Sequence, residues 1–388
     1  MTFREQEGLT SMSMMEAEQS RKVLLVANVV KEHVLKFHVP TIRLMRERGW
    51  TVDVAASGEE EVPYCNRQIH GVWKRSPFTP DTLKGIRQLR REIDQGDYDI
   101  VYCHTPVGAL VARLAAMKAR KHGTKVVYFA HGFHFFKGAP LLNWLVFYPI
   151  EKILARYTDI LITLNDEDCS LAKRRFGELL SVIQVPGAGV DFSRLHVENK
   201  EETRVRIRQE LGIAGQALTL IYIAELIPNK NQKMLLETIK EIRKTNQQAV
   251  LLLVGPDHTD GQLQKTAHQM ELDEAVVFAG WRHDIGALLC SADIAVASSI
   301  REGFGLNLIE AMYMGLPVVA TNNRGHRMII RDGENGFLVR VGDSEKMAER
   351  ILELVSNPDL RTRFGHMDVR HFGADIVSEQ IVDILERV

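Results

Sequence analysis

The stretch ADIAVASSIREGFGLNLIEAM, residues 292–312, decides the fold of this chain. It begins with an apolar run that is typical of a strand buried in a parallel sheet, and it continues with apolar residues at helical spacing. Gly303 and Gly305, between the two parts, allow backbone N–H groups to approach an anion, and the helix after them directs its positive end to the same place. The stretch therefore predicts a strand, a loop and a helix, with the loop at the sheet edge where open α/β sheets bind ligands.

Two carboxylates of this stretch, Glu302 and Glu310, are candidate ligand-binding groups. Glu302 falls in the predicted loop, and Glu310 lies about one and a half to two turns into the helix. We expect both to line one pocket, where each would bond the hydroxyls of a different part of one ligand. A solvated loop carboxylate and a partly exposed helix carboxylate explain the spacing equally well, so the pocket needs support from other loops.

Composition is that of a globular protein: 388 residues, 45% hydrophobic and 26% charged, with a net charge of −1. The length suits about two domains. Residues 21–156 carry 22 Lys or Arg against 12 Asp or Glu. This basic part suggests an anionic partner, either a phosphate-bearing substrate, nucleic acid or an anionic membrane surface, although charges scattered over solvated helices would give the same count.

The cysteines, the first twenty residues and the apolar runs indicate the cellular compartment of the protein. The cysteines are widely spaced, form no CxxC pair and have no histidine at metal-ligand spacing, which predicts reduced thiols and no metal site; they are Cys65, Cys103, Cys169 and Cys290. Residues 1–20 lack the apolar core of a signal peptide, and we expect a disordered leader there. No apolar run is long enough to span a membrane. We expect a cytoplasmic protein, with peripheral binding to the inner face of the cell membrane left open.

Predicted strands and helices alternate twice along the chain, which indicates two doubly wound parallel sheets. The first-half strands are Val23–Ala27, Val52–Ala55, Ile100–Cys103, Val126–Ala130, Ile160–Leu164 and Val182–Val185. The second-half strands are Leu218–Ala224, Val250–Val254, Val276–Ala279, Ile294–Ala297 and Val318–Ala320. We predict an N-terminal Rossmann-like domain over 21–190, a linker over 191–200, a second such domain over 201–365 and a C-terminal helical segment over 366–388. Two such domains would face an interdomain cleft, a favoured place for ligands.

Each strand of the second half is followed by a loop with a suitable residue. Lys230 lies at a predicted helix start, where its ammonium could hold a phosphate together with the helix dipole. Trp281 and Arg282 could bracket a planar base. The remaining loops carry Gly255, Glu302 and Arg324. Five such loops on one rim of a sheet favour a binding site over isolated surface residues.

Several motifs of the second half together resemble the donor domain of retaining, family 4 glycosyltransferases, which have the GT-B fold. These motifs are Lys230-Asn231, Gly280-Trp281, Ser299–Glu310, Gly315–Ala320 and Asp332–Val339. Glu302 and Glu310 match the E-x7-E element of that family. In the first half, KFHVP around His38, CHTP around His104 and HGFHFFKGAP from His131 resemble the bacterial exopolysaccharide and capsule branch. The resemblance covers about residues 21–365.

The resemblance implies roles for individual residues. Glu302 would contact the sugar and phosphate of a nucleotide-sugar, Glu310 the ribose and Lys230 the diphosphate, with His131 as a catalytic or sugar-contacting histidine. The rest of the donor site would consist of Gly255, Arg282, Gly303, Phe304, Gly305 and Leu306. Candidate sugar or acceptor contacts are His104, His134, Lys137 and Arg324. The resemblance further implies a UDP-sugar donor, a polyprenyl-diphosphate-linked glycan as acceptor, and neither a metal nor a cofactor.

The chain departs from the family pattern at three places. Ala224-Glu225 replaces the glycine and arginine that commonly precede the diphosphate lysine, Asn28–His33 is not a glycine-rich loop, and Met328 stands where a carboxylate is common. Two alternatives therefore stay open, a sugar-nucleotide epimerase and a catalytically inactive sugar-nucleotide-binding protein. A dinucleotide-dependent oxidoreductase is disfavoured because no G-x-G-x-x-G opens either half. We expect no nucleic-acid partner.

An aromatic cluster follows His131. Its members are Phe133, Phe135, Phe136, Trp144, Phe147 and Tyr148. We predict that the helical members belong to the core, and that Phe135 and Phe136 lie in a partly exposed loop. Beside the basic residues Lys137 and Lys152, that loop would dip into a lipid surface.

Overall fold

A computed structural model describes residues 20–74 and 79–388, so that all but the last residue of the expected leader 1–20 lies outside the described part. The chain forms two compact units. One contains the residues up to Ala188 together with Asp375–Val388, and the other contains Gly189–Ala374.

The elements alternate as the sequence predicts. The strands of the described residues are β1 Lys22–Val29, β2 Thr51–Ser57, β3 Arg67–His70, β4 Ile100–His104, β5 Lys125–Ala130, β6 Ile160–Thr163, β7 Ser181–Gln184, β8 Thr219–Ile223, β9 Val250–Val254, β10 Val276–Gly280, β11 Ile294–Ala297, β12 Val318–Thr321 and β13 Phe337–Val339. The longer helices are α1 Val39–Glu47, α2 Pro80–Gly96, α3 Pro106–Ala115, α4 Leu141–Leu154, α5 Asp166–Phe176, α6 Lys200–Glu210, α7 Gln232–Ile242, α8 Gln262–Gln269, α9 Ile285–Ser291, α10 Leu306–Tyr313, α11 Ser344–Ser356, α12 Pro358–Gly365 and α13 Ala374–Glu386.

The first unit is built on a seven-stranded sheet in the order β3-β2-β1-β4-β5-β6-β7. All its strand pairs are parallel. Buried apolar runs explain this, since residues 23–27 of β1 are fully buried and a parallel sheet is covered on both faces. The strand order reverses between β1 and β4. Loops after these two strands diverge to opposite faces and leave a crevice, which is the switch point where such sheets bind ligands.

The second unit repeats this plan with a six-stranded parallel sheet in the order β10-β9-β8-β11-β12-β13. Its strand order reverses between β8 and β11. The stretch 292–312 forms strand β11, a loop and helix α10, as its pattern predicts. The loop that contains Glu302 therefore leaves the carboxyl end of a strand at the switch point of this sheet.

Two short strands were not predicted, and one helix is shorter than predicted. Strands β3 and β13 lie at sheet edges, and they contain four and three residues. In β3 only Ile69 is buried, so the apolar run that identifies the other strands is missing. The sequence has a helical pattern over 108–121, but the helix that begins at Pro106 ends at Ala115, and a separate short turn follows at Ala119–His122.

The unit boundaries differ from the predicted domains. The expected linker 191–200 contains Leu195, which is 1% exposed within the core of the second unit. The expected C-terminal segment 366–388 divides, because helix α13 belongs to the first unit. Thr41 and Ser378 share a hydrogen bond of 3.0 Å there, and the Arg48 guanidinium binds two carboxylates of α13. These long-range contacts have no local sequence signal.

Candidate active site

Lys230 and Glu302 form the centre of the candidate site in the second unit. The Nζ atom of Lys230 donates a hydrogen bond of 2.5 Å to Oε1 of Glu302, across 72 positions of sequence. The Ser299 hydroxyl donates a second bond, of 2.6 Å, to the same oxygen. Both charged side chains are less than a quarter exposed. The structure thus unites two predicted donor-site residues from the loops after β8 and β11.

Two glycines bring the loops after β11 and β12 into contact. Gly305 has a φ of +153°, and a Cβ atom there would lie 3.2 Å from Cδ2 of His326. A Cβ atom at Gly325 would lie 2.2 Å from the carbonyl oxygen of Phe304. A side chain would clash at Gly325 and strain the backbone at Gly305, so the glycines let the backbone between Gly303 and Leu306 lie close to the loop after β12. The first-turn amides of α10 point out of the helix at this place, and such a helix end attracts anions.

Arg324 and His326 lie in the loop after β12, which contacts the loop that contains Glu302. Arg324 is 8% exposed, and its Nε donates to the backbone oxygen of Glu302 at 3.3 Å. The Nδ1 atom of His326 lies 2.7 Å from the carbonyl oxygen of Thr321. Because a carbonyl oxygen can only accept a hydrogen bond, Nδ1 carries the proton. Burial lowers the pKa of His326 to about 4, so the ring is neutral at pH 7. Its Nε2 has no hydrogen-bond partner among the described residues. His326 was not predicted to be a site residue.

Glu310 has an ion-pair partner of its own. Its carboxylate is 4% exposed and is bonded by the guanidinium of Arg194, from the turn Phe192–Leu195. The contact with a ribose stays a prediction. Arg194 was missed by the sequence analysis because it falls in the stretch that was assigned to the linker.

Gly255 and Arg282 lie in the loops after β9 and β10. The Gly255 N–H donates to the carbonyl oxygen of Gly280 at 2.8 Å, and a Cβ atom at Gly255 would lie 2.1 Å from the Ala224 oxygen. Gly255 therefore allows two loops to approach closely. The Arg282 guanidinium is already bonded to Asp284 and Glu210. A base contact by residue 282 would have to use its backbone or release these ion pairs.

Four histidines meet in the first unit, at the switch point of its sheet. They are His33 and His38 after β1, His104 at the end of β4 and His131 after β5. Burial lowers the pKa of all four, that of His33 to about 4, so the imidazoles are neutral at pH 7. The sequence analysis had singled out His38, His104 and His131 but not His33, which falls in the stretch noted only for lacking a glycine-rich loop.

His134 lies beside this cluster, and Lys137 follows it three residues later in the chain. A cavity of about 430 Å³ is lined by His134 and His33 together with Glu32, Thr105 and Phe147. The His134 ring stacks on Phe147, with 4.6 Å between ring centroids. Lys137 has an exposed side chain, and its backbone N–H donates to the Glu167 carboxylate. His104 is fully buried, so a sugar contact by its ring would require a rearrangement of the histidines around it.

Phe135 contradicts its predicted exposure. It is 1% exposed and packs against Phe133, with 4.8 Å between their ring centroids. Phe136 is half-buried. The helical aromatics pack against the core as expected, but the outer face of α4 presents large apolar side chains to solvent. These are Leu141, Leu142, Leu145 and Ile153, which are 58% to 73% exposed. In the part of the chain that the structure describes, no helix is long and apolar enough to cross a membrane.

Two doubly wound parallel-sheet units, with polar clusters at their switch points, define the GT-B class of folds. Residues 203–367 match the family model of group 1 glycosyl transferases, and residues 22–165 match the 4-like glycosyl transferase model. EpsD of Bacillus subtilis (strain 168), a protein assigned as a glycosyltransferase, is 44% identical over 346 residues, which are 89% of this chain and 90% of EpsD. This chain therefore belongs to the group 1, family 4-like glycosyltransferases, as its motifs predict.

Two further proteins are similar to this chain. An Escherichia coli enzyme, UDP-Gal:alpha-D-GlcNAc-diphosphoundecaprenol alpha-1,3-galactosyltransferase, is 28% identical over 285 residues, which are 71% of each chain. The crystal structure of Anabaena HepE in complex with UDP and glucose has a TM-score of 0.76 and 20% identity, and the match covers 95% of this chain and all of HepE. The latter likeness supports the fold.

Proposed function

We propose that this glycosyltransferase moves a sugar from a UDP-sugar to a glycan carried on a polyprenyl diphosphate, with retention of the anomeric configuration, during synthesis of a surface polysaccharide. The ion pair of Lys230 and Glu302 at the second switch point is the observation that carries the proposal. An ammonium and a helix N-terminus suit a diphosphate, and a carboxylate suits sugar hydroxyls. The Escherichia coli relative is named for a UDP-Gal donor and a diphosphoundecaprenol acceptor.

In the proposed reaction, the bond between the anomeric carbon and the diphosphate oxygen breaks as a bond to the acceptor oxygen forms on the same face. The proton of the acceptor hydroxyl passes to an oxygen of the departing diphosphate. Positive charge develops on the sugar during this step, and the Glu302 carboxylate would stabilise it. Lys230, Arg324 and the amides at the start of α10 would stabilise the charge of the leaving diphosphate.

We propose that the acceptor side works at the inner, anionic face of the cell membrane. On helix α4, Leu142, Leu145 and Ile153 are exposed together with the basic residue Lys152, and the exposed Arg156 lies in the turn that follows the helix. An apolar face with basic residues suits the surface of an anionic membrane, where such a helix lies in the interface plane. This part of the first unit replaces Phe135 as the proposed lipid contact.

A direct assay tests the proposal. Wild-type protein is incubated with a panel of UDP-sugars and membrane extract, and both UDP release and lipid-linked product are measured. We expect release that depends on the extract, and an α-configured product from an α-linked donor. A new UDP-sugar without any acceptor would favour the epimerase, and UDP-sugar binding without turnover would favour an inactive binding protein. Either result would refute the proposed function.

A further inference from the structure

The histidine cluster of the first unit has the form of a metal site. One ring nitrogen from each of His33, His38, His104 and His131 lies within 4.8 Å of those of the other three. These residues come from three loops that meet at the switch point of the sheet. From this geometry we infer that the cluster binds a divalent transition metal ion of the zinc class through four imidazoles.

Buried nitrogens without partners are the strongest support for the site. His104 is fully buried, yet neither of its ring nitrogens has a hydrogen-bond partner among the described residues. The same holds for Nε2 of His131. Buried polar atoms are nearly always satisfied, and each exception calls for an explanation such as an ordered water or an ion. A single cation at the centre of the cluster would bind one nitrogen of His104 and one of His131 together, and the second nitrogen of His104 would then carry the proton.

Distances within the cluster suit a tetrahedral ion. In a tetrahedral zinc site with Zn–N bonds of about 2.0–2.1 Å, two ligand nitrogens lie about 3.3 Å apart. The Nε2 atoms of His33 and His38 are 3.1 Å apart. The remaining separations are at most 4.8 Å, so binding of the ion would draw the other two nitrogens inward by at most about 1.5 Å.

Local backbone geometry explains how two ligands come from one short segment. Residues Val30–Val34 form a π-helical turn, in which the Leu35 N–H bonds the carbonyl oxygen of Val30. Such π-turns often occur at functional sites. His33 lies within this turn and His38 follows the short helix Leu35–Phe37, and their Nε2 atoms meet at 3.1 Å. The spacing has no resemblance to common zinc motifs, which explains why the sequence analysis predicted no metal.

The four imidazole ligands decide which class of metal suits the site. Four neutral imidazoles suit zinc, copper or nickel, whereas magnesium and calcium require oxygen ligands. The neutral imidazole is the form that ligates such a metal. The cavity that reaches His33 offers an entry path, and the carboxylate of Glu32 in its lining attracts a cation.

A metal here would fasten the loops after β1, β4 and β5 to one another. Four protein ligands leave no open position, which is the arrangement of a structural rather than a catalytic site. His131 would then be a fixed ligand that orients the loop over the sheet. The inference concerns the first unit alone and is independent of the proposed transfer reaction.

Metal analysis of the full chain, after removal of any affinity tag, tests the inference. We expect about one zinc per chain after dialysis against metal-free buffer. Chelated protein should bind Co²⁺ with visible absorption bands typical of tetrahedral coordination, and Zn²⁺ should raise its Tm. Binding of either metal with these signatures supports the site. Failure of both to bind the folded wild type would overturn it and leave water as the partner of the buried nitrogens.

Variants distinguish this site from metal bound at surface histidines. His33→Gln, at the edge of the cavity, should weaken Co²⁺ binding at least about tenfold, since changes even in the shell around metal ligands cost that much. His104→Asn removes the most buried ligand and should abolish the bands. His122→Asn, an exposed histidine of the same unit, should change nothing. If His122→Asn lowers metal content as much as His33→Gln does, the cluster is not the site; the wild-type result stands even if His104→Asn does not fold.

Discussion

Replacement of Lys230 by alanine gives the sharpest test of the candidate donor site. The variant removes the ammonium that lies 2.5 Å from Glu302, a residue of the loop that leads into α10. A hydrogen bond to a charged group contributes about 1.5–3 kcal/mol, which is roughly a 10- to 150-fold change in affinity. In the absence of a ligand, Glu302 already accepts one hydrogen bond from this ammonium. We therefore expect the lower end, about tenfold weaker binding of UDP.

The companion variant Glu302→Gln should act in the opposite direction. It removes a negative charge beside the proposed diphosphate position and releases Lys230 from its ion pair, so UDP should bind as well as before or more tightly. Opposite effects of the two substitutions on UDP affinity are specific to an ion pair whose ammonium binds the diphosphate. A general loss of structure would weaken binding in both variants.

Calorimetric titration with UDP measures both effects. Lys233→Ala is the matched control, because Lys233 is an exposed lysine in the first turn of α7, three residues from Lys230. The Lys233→Ala variant should bind UDP with the same affinity as the wild type. Unchanged UDP affinity in Lys230→Ala would refute the reasoning, and so would an equal loss in Lys233→Ala.

Three further predictions concern catalysis, membrane binding and stability. Glu302→Gln should lower kcat about 10²- to 10³-fold, as measured by UDP release, because its carboxylate acts mainly in the transition state; an unchanged kcat contradicts that role. Leu145→Glu should remove about 1.5–3 kcal/mol of apolar burial and lower sedimentation with anionic vesicles, whereas equal binding of wild type to zwitterionic vesicles would contradict membrane docking. Glu151→Ala leaves the buried Arg113 without its ion-pair partner and should lower the free energy of unfolding in urea by about 3–5 kcal/mol. The control Asp94→Ala, which breaks the more exposed pair with Lys118, should lower it by at most about 1 kcal/mol. Equal losses in the two variants would contradict the burial argument.

The fold was predictable because its strands carry strong local signals. Buried parallel strands such as β9 and β11 are uninterrupted apolar runs, and the structure confirms them. Strands β3 and β13 were missed because an edge strand of three or four residues contains too few buried positions to form a pattern. The return of α13 to the first unit depends on contacts such as that between Thr41 and Ser378, more than 300 residues apart, which no local pattern encodes.

Parts of the candidate site were also predictable. Glu302, Lys230 and Arg324 were identified from their places after strands, and the structure joins them in one wall. Their roles toward a nucleotide-sugar stay predictions. Phe135 was wrongly expected at the surface, because an aromatic residue in a loop gives no sign of whether the loop folds inward.

The sequence by itself determined which segments become the buried strands, which loops follow them, and hence which residues stand at the binding edge of each sheet. These properties depend on neighbours a few positions apart. Only the tertiary structure decided the partners: Arg194 for Glu310, and His33, His38 and His131 around His104. The physical reason is that strand order, and not chain order, decides which loops meet at a switch point. Side chains far apart in sequence become neighbours there, and the chemistry of each cluster depends on that meeting.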